Sequence, residues 1–167
     1  MLHRGGAACE TLQFAVTPAS GKNLWTGAGT SPNLNTWNGP IIQGADGTHH
    51  LFVPVYQHAS LGKVIYYAHG TAAKIEGPYD WANPNISSTA INPAALVFPD
   101  STGKLAYSLW IGGDIWVAAD AAGPYTKTYE NPASGNTAPA FSDGFFYATS
   151  QKTTTVVRSA SLAGPWE

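Results

Sequence analysis

Three Gly-Pro-aromatic tripeptides constrain this chain more than any other feature: Gly77-Pro78-Tyr79, Gly123-Pro124-Tyr125 and Gly164-Pro165-Trp166. Their starts at 77, 123 and 164 give spacings of 46 and 41 residues. That is near the roughly 40–50 residue period of β-propeller blades. A repeat of this length means one supersecondary unit per period, with a core formed only when neighbouring units stack.

The text before each tripeptide repeats as well. The units read NGPIIQGADGTHHLFVPVYQ with KVIYYAHGTAAKIEGPY, NPAALVFPDSTGKLAYSLW with DIWVAADAAGPY, and NTAPAFSDGFFYATSQ with TTVVRSASLAGPW. Each opens on an asparagine (Asn38, Asn92, Asn136) with a proline within three residues. An apolar run follows, then an Asp/Gly turn, an aromatic-rich run, a third run and the tripeptide.

The runs are short, rich in Val, Ile, Tyr, Phe and Trp, and bounded by Gly, Pro, Asn and Asp, which is strand chemistry. Asp46-Gly47, the Asp100 to Gly103 stretch and Asp143-Gly144 supply hairpin turns. HLFVPVYQ alternates too poorly for a half-exposed strand, so both of its faces are expected to be covered by neighbours. No stretch with a 3.6-residue period is long enough for a helix.

The predicted fold is an all-β propeller of four-stranded blades, about three and a half of them. Residues 11–37 are expected to form the outer strands of a first incomplete blade, because LQFAVTPASGKNLW resembles VVRSASLAGPW. Blades then occupy 38–90, 91–135 and 136–167, the last lacking its outermost strand. Propellers close with 4–8 blades, and an open array leaves strand edges and apolar faces uncovered. Two expectations follow: copies form a homo-oligomer or exchange strands, or the chain is part of a longer product.

Composition narrows the function classes. Charged residues make up 11% of the 167 residues, against about 25% in ordinary globular proteins. Net charge is −2 and the eight basic residues are scattered singly, which argues against nucleic-acid or anionic-membrane surfaces. No run approaches the ~18 apolar residues of a membrane span. The single cysteine, Cys9, allows no internal disulfide and no zinc spacing. MLHRGGAACE is not a signal peptide, since no apolar segment follows Arg4. Few charges with many aromatics and turn formers nevertheless suit a secreted protein whose signal has been removed.

The order Asn-Pro, apolar run, Asp-Gly, aromatic run, small-residue strand and Gly-Pro-Tyr/Trp resembles the five-bladed propeller glycoside hydrolases of family forty-three, the arabinanase and xylosidase group. The resemblance covers roughly residues 38–167. It implies a site at one end of the central channel, with an Asp base, a second Asp tuning it and a Glu acid. Glycoside hydrolysis needs two carboxyl groups flanking the bond, one protonated and one not.

That catalytic set does not carry over. The ten acids are Glu10, Asp46, Glu76, Asp80, Asp100, Asp114, Asp120, Glu130, Asp143 and Glu167. Asp46, Asp100, Asp143 and Asp114 fall in expected turns, and Glu76, Asp80, Asp120 and Glu130 near the tripeptide corners. The inner-strand starts hold Asn38, Asn92 and Asn136 instead, and an amide neither takes nor delivers a proton near neutral pH. Catalytic residues are therefore unassigned.

The three asparagines are candidates to form a polar ring that hydrogen-bonds sugar hydroxyls; the simpler account is that Asn before Pro caps a turn. Trp37 and Trp110, at expected strand ends, are candidates to stack on a sugar, against ordinary packing between blades. His50 is a candidate substrate contact. Adjacent His49 and His50 point to opposite sheet faces and make a poor metal pair, so no metal and no cofactor are expected.

Three functions stay open. One is a glycoside-hydrolase-like propeller that contacts a poly- or oligosaccharide without catalysis of its own. Another is a glycosidase active within a larger or oligomeric propeller. The last is an interaction module with no sugar ligand.

Overall fold

The computed structural model describes residues 34–36, 39–57, 64–82, 86, 88, 90, 92–133, 135–150 and 155–167. Among them are twelve β-strands and no helix. The strands form three antiparallel sheets in chain order, one for each repeat unit.

The first sheet contains β1 (Leu34–Thr36), β2 (Ile41–Gln43), β3 (His49–Gln57), β4 (Val64–Ala72) and β5 (Asp80–Ala82). β1 and β2 pair with opposite ends of the same edge of β3, through Thr36↔Val55 and Ile41↔Leu51. Together they form one interrupted inner strand. Residues 34–36, expected in a preceding blade, thus belong to this one. The interruption sits where Gly39 crosses β3. A Cβ on Gly39 would lie 1.9 Å from the Phe52 carbonyl oxygen, so only glycine passes there, and the Phe52 amide donates to the Pro40 carbonyl at 3.1 Å.

The second sheet runs β6 (Ala94–Pro99), β7 (Leu105–Ile111), β8 (Asp114–Ala118) and β9 (Thr126–Glu130), in that spatial order. The third has β10 (Thr137–Ser142), β11 (Phe145–Ser150) and β12 (Val156–Ser159). The Arg158 and Glu167 backbones exchange two hydrogen bonds, at 2.8 and 3.0 Å. Glu167 thereby occupies the place that Thr126 takes opposite Val117 in the second sheet and Asp80 opposite Thr71 in the first.

The tripeptides build equivalent corners. All three Gly-Pro bonds are cis and the three glycines have φ between 85° and 91°, a region that disfavours any Cβ. In the first two corners the tyrosine reaches back four residues. The Tyr79 hydroxyl donates to the Ile75 carbonyl at 2.5 Å and the Tyr125 hydroxyl to that of Ala121 at 3.1 Å.

Stacking of the sheets makes the core. Inner strand β6 lies against both β2 and β10, the arrangement around a propeller axis. β7 is buried on both faces, and its side chains divide with period two. Tyr107, Leu109 and Ile111 join Phe52, Tyr67 and Tyr125 in a core with the first sheet. Ala106 and Trp110 join Phe98, Ile115, Phe146 and Leu162 in a core with the third. Burial of each large side chain contributes about 1.5–3 kcal/mol.

Candidate functional site

The turns that precede β6 and β10 bring Asn92 and Asn136 together. Asn92 Nδ2 donates to Asn136 Oδ1 at 2.7 Å, joining the starts of two inner strands from different sheets. Asn92 adopts φ 58°, a left-handed conformation that asparagine tolerates better than other side chains bearing a Cβ. Two of the three expected ring members thus meet. Asn38 and Trp37 lie outside the described residues.

A third amide that sequence reasoning missed supports this end. Asn131 is buried; its Nδ2 donates to the Gly112 carbonyl at 2.8 Å and to Thr137 Oγ1 at 2.7 Å. Its backbone amide donates to the Gly113 carbonyl at 2.9 Å. Asn131 therefore ties the β7–β8 turn to the first residue of β10, and it holds the Asn136 segment in place. The available signal was its Asn-Pro dipeptide, the same pair found at Asn92-Pro93.

The remaining candidates lie elsewhere. Trp110 is 1% exposed and its Nε1 donates to Ser108 Oγ at 3.0 Å. Its ring meets the Trp166 ring edge-on at 6.0 Å. It is packing between the second and third sheets, with no face for a sugar. His50 sits beside the first hairpin, at the opposite end of the strands from Asn92 and Asn136. It is buried, and its Nδ1 lies 2.9 Å from His69 Nε2. Burial holds both imidazoles below the ordinary histidine range, His69 at about 4.

The acids mostly serve the backbone. Asp46 accepts from the Thr48 amide and hydroxyl, both at 2.9 Å. Asp100 accepts from Thr102 and Lys104 at 2.7–3.0 Å. Bonds to the Thr48 amide and to the Thr102 hydroxyl, respectively, lead the causes that hold these two carboxyls below the usual range. Asp143 takes φ 51° in its turn.

Asp114 differs from expectation. Gly112-Gly113 suffices for the hairpin, so Asp114 starts β8 opposite Ile111 rather than standing in the turn. It pairs across the sheet with Glu130, the last residue of β9, and binds Lys127 Nζ at 2.7 Å. These two acids share the amide end but stand on outer strands. Among the described residues, β2, β6 and β10 contain no acid. No cluster of three metal-ligating side chains occurs among the described residues either.

The Asn92 and Asn136 amides can hydrogen-bond in both directions but neither take nor deliver a proton near neutral pH.

No protein-family model and no curated protein matches the sequence. Solved structures do resemble the fold. A putative exo-β-1,3-galactanase from Bifidobacterium bifidum is similar with TM-score 0.59 and 14% identity, covering 85% of this chain and 52% of that one. The three sheets match part of the five-bladed propeller fold of GH43 proteins. An exo-β-1,3-galactanase from Phanerochaete chrysosporium, solved with galactose, gives TM-score 0.54 and 15% identity over 83% of this chain and 36% of its own. A GH43 β-1,3-galactosidase with galactodeoxynojirimycin gives 0.57 and 12% over 87% and 60%. This chain spans between 36% and 60% of these three propellers.

Proposed function

We propose that this chain is a glycoside-hydrolase-type propeller segment that contacts carbohydrate through amides at its inner-strand ends and lacks hydrolytic chemistry of its own. One observation carries the reading: the Asn92–Asn136 pair stands where the inner strands begin, and those strands carry no acid among the described residues. Amides suit hydroxyl groups, which both donate and accept, and they leave hydrolysis without its acid and base.

Titration calorimetry with galactose and β-1,3-galactotriose, the sugars bound in the fungal galactanase structures, tests the reading. Saturable heat that falls at least tenfold in affinity in Asn136→Ala, with no galactose released from the trisaccharide, is the expected result. Release of galactose by the chain alone contradicts it.

A second reading rests on length. A chain spanning about half of the propellers it resembles suits a hydrolase that acts only when more blades are present, from a longer product or from associated copies. Light scattering together with the hydrolysis assay separates the two: an assembly that releases galactose favours the second reading.

A further inference from the structure

A groove of about 450 Å³ lies between the first and second sheets, at the opposite end of the strands from Asn92 and Asn136. Its volume is within the roughly 300–1,000 Å³ range of small-molecule sites. The first hairpin at Gly44 and Asp46, His50 of β3, Lys104 and Tyr107 line it, with the β8–β9 turn at Asp120.

The equivalent groove between the second and third sheets lacks a histidine. It has the same volume, about 450 Å³, and is lined by Phe98, Ala106 and Phe146, with Asp100, Ser101 and Ser161 among its polar groups. Gly44 and Asp100 occupy matching hairpin positions, since their amides donate to the Thr48 and Lys104 carbonyls. Counting on from there, His50 of β3 matches Ala106 of β7. The repeat thus places a buried imidazole where its neighbour has a methyl group.

That imidazole is fixed in place. His69 holds its Nδ1 at 2.9 Å, and the two rings stack at 5.2 Å. Phe52 stacks on His69 in turn at 4.5 Å. This leaves His50 Nε2 on the Gly44 side, where an added Cβ would lie 3.1 Å from it, 2.9 Å from Asp46 Oδ1 and 3.4 Å from the Ala121 Cβ. The absent side chain of Gly44 is what keeps the space between imidazole and carboxylate open.

We infer that this groove is a second binding site, for a small polyhydroxylated ligand, with His50 Nε2 as its buried hydrogen-bonding atom. The donor and acceptor set is mixed. Asp46 and Asp120 accept, Lys104 donates, and His50 does either, according to which ring of the histidine pair carries the shared proton. Hydroxyl groups match such a set because each donates and accepts. A simple cation is disfavoured by Lys104 and a simple anion by the two carboxylates. Tyr107, Leu105 and Ala121 supply the apolar wall that a sugar or cyclitol ring covers with its C–H faces. The inference stands apart from the proposed amide site, because the two lie at opposite ends of the strands.

The test follows the imidazole nitrogen signals of His50 and His69 by NMR during titration with galactose and, separately, with myo-inositol. Probe concentrations reach about 100 mM, which detects Kd values well above 1 mM. The expected result is a saturable shift of the His50 signals with at least one probe. Gly44→Ala should weaken it at least tenfold, and Asn92→Ala should leave it unchanged. Gly44 has no left-handed φ, so alanine is compatible with its backbone and the variant should fold. Absence of any saturable His50 shift, or a shift unaltered by Gly44→Ala, overturns the inference. If Asn92→Ala abolishes the His50 shift, the groove is not a separate site and the inference fails.

Discussion

Asn92 Nδ2 donates to Asn136 Oδ1 at 2.7 Å across the boundary between the second and third sheets. The bond has two separable parts, the hydrogen bond itself and the left-handed backbone of Asn92. Asn92→Gly removes the first and relaxes the second, and should cost about 1 kcal/mol, the net worth of an ordinary hydrogen bond. Asn92→Ala loses the same bond but keeps a Cβ at positive φ without the amide that eases this conformation, and should cost more than the glycine variant, by up to about 1–2 kcal/mol. Asn136→Ala should resemble the glycine variant. Urea midpoints of the three variants check the order.

His50 and His69 set an acid limit. Burial is the main cause lowering both, with His50 adding to the effect on His69, which falls to about 4 from an ordinary value of 6.5. Asp46 and Asp120 oppose the shift of His50, while His49 reinforces it. Because the folded values are depressed, the unfolded chain binds protons first. The stability from neutral histidines is complete above pH 6.5 and is lost as pH falls from there toward about 4. For His69 the loss is up to about 3 kcal/mol. The carboxyls of Asp46 and Asp100 are held below the ordinary aspartate value of 3.8, outside this window. Unfolding midpoints should stay level from pH 7.5 down to about 6.5 and decline from there toward 4.5, and His69→Phe should flatten that decline.

Gly39 should be the least replaceable described residue. Its missing Cβ would stand 1.9 Å from a backbone oxygen, and backbone cannot swing aside as a side chain can. Gly39→Ala should cost about 3 kcal/mol or more, whereas Gly103→Ala, whose Cβ meets nothing within 4 Å, should cost about 1–2 kcal/mol through its positive φ alone. Thermal unfolding of both variants gives the comparison.

Trp110 should behave as core. Trp110→Ala should cost about 3–5 kcal/mol. Trp110→Phe should keep the fold and leave any sugar affinity unchanged. An affinity change in a folded Trp110→Phe protein would return it to the list of sugar contacts.

Much of the architecture could be read from the chain because the repeat grammar is local. Asp-Gly turns, β-rich runs and Gly-Pro-Tyr corners each fix short-range geometry, and together they made the all-β character and the strand-rich repeat legible. Residues 34–36 escaped because their partner, Val55 to Gln57, lies some twenty residues away and the strand is broken at Gly39. Asn92 and Asn136 were legible from their place in the repeat. Trp110 was not, because period two decides which face a strand residue presents but not whether a neighbouring sheet covers it. Asn131 was missed because its partners, Gly112 and Thr137, are joined only by the packing of two sheets. The pairing of His50 with His69 depends on the β3–β4 register, Phe52↔His69, which composition does not specify.

The central claim is tested most directly by following the side-chain amide NMR signals of Asn92 and Asn136 during titration with β-1,3-galactotriose, and assaying the same sample for galactose. The account predicts saturable shifts of both amides with the trisaccharide intact at the end. Unmoved amides, or a trisaccharide cleaved by the chain alone, would contradict it.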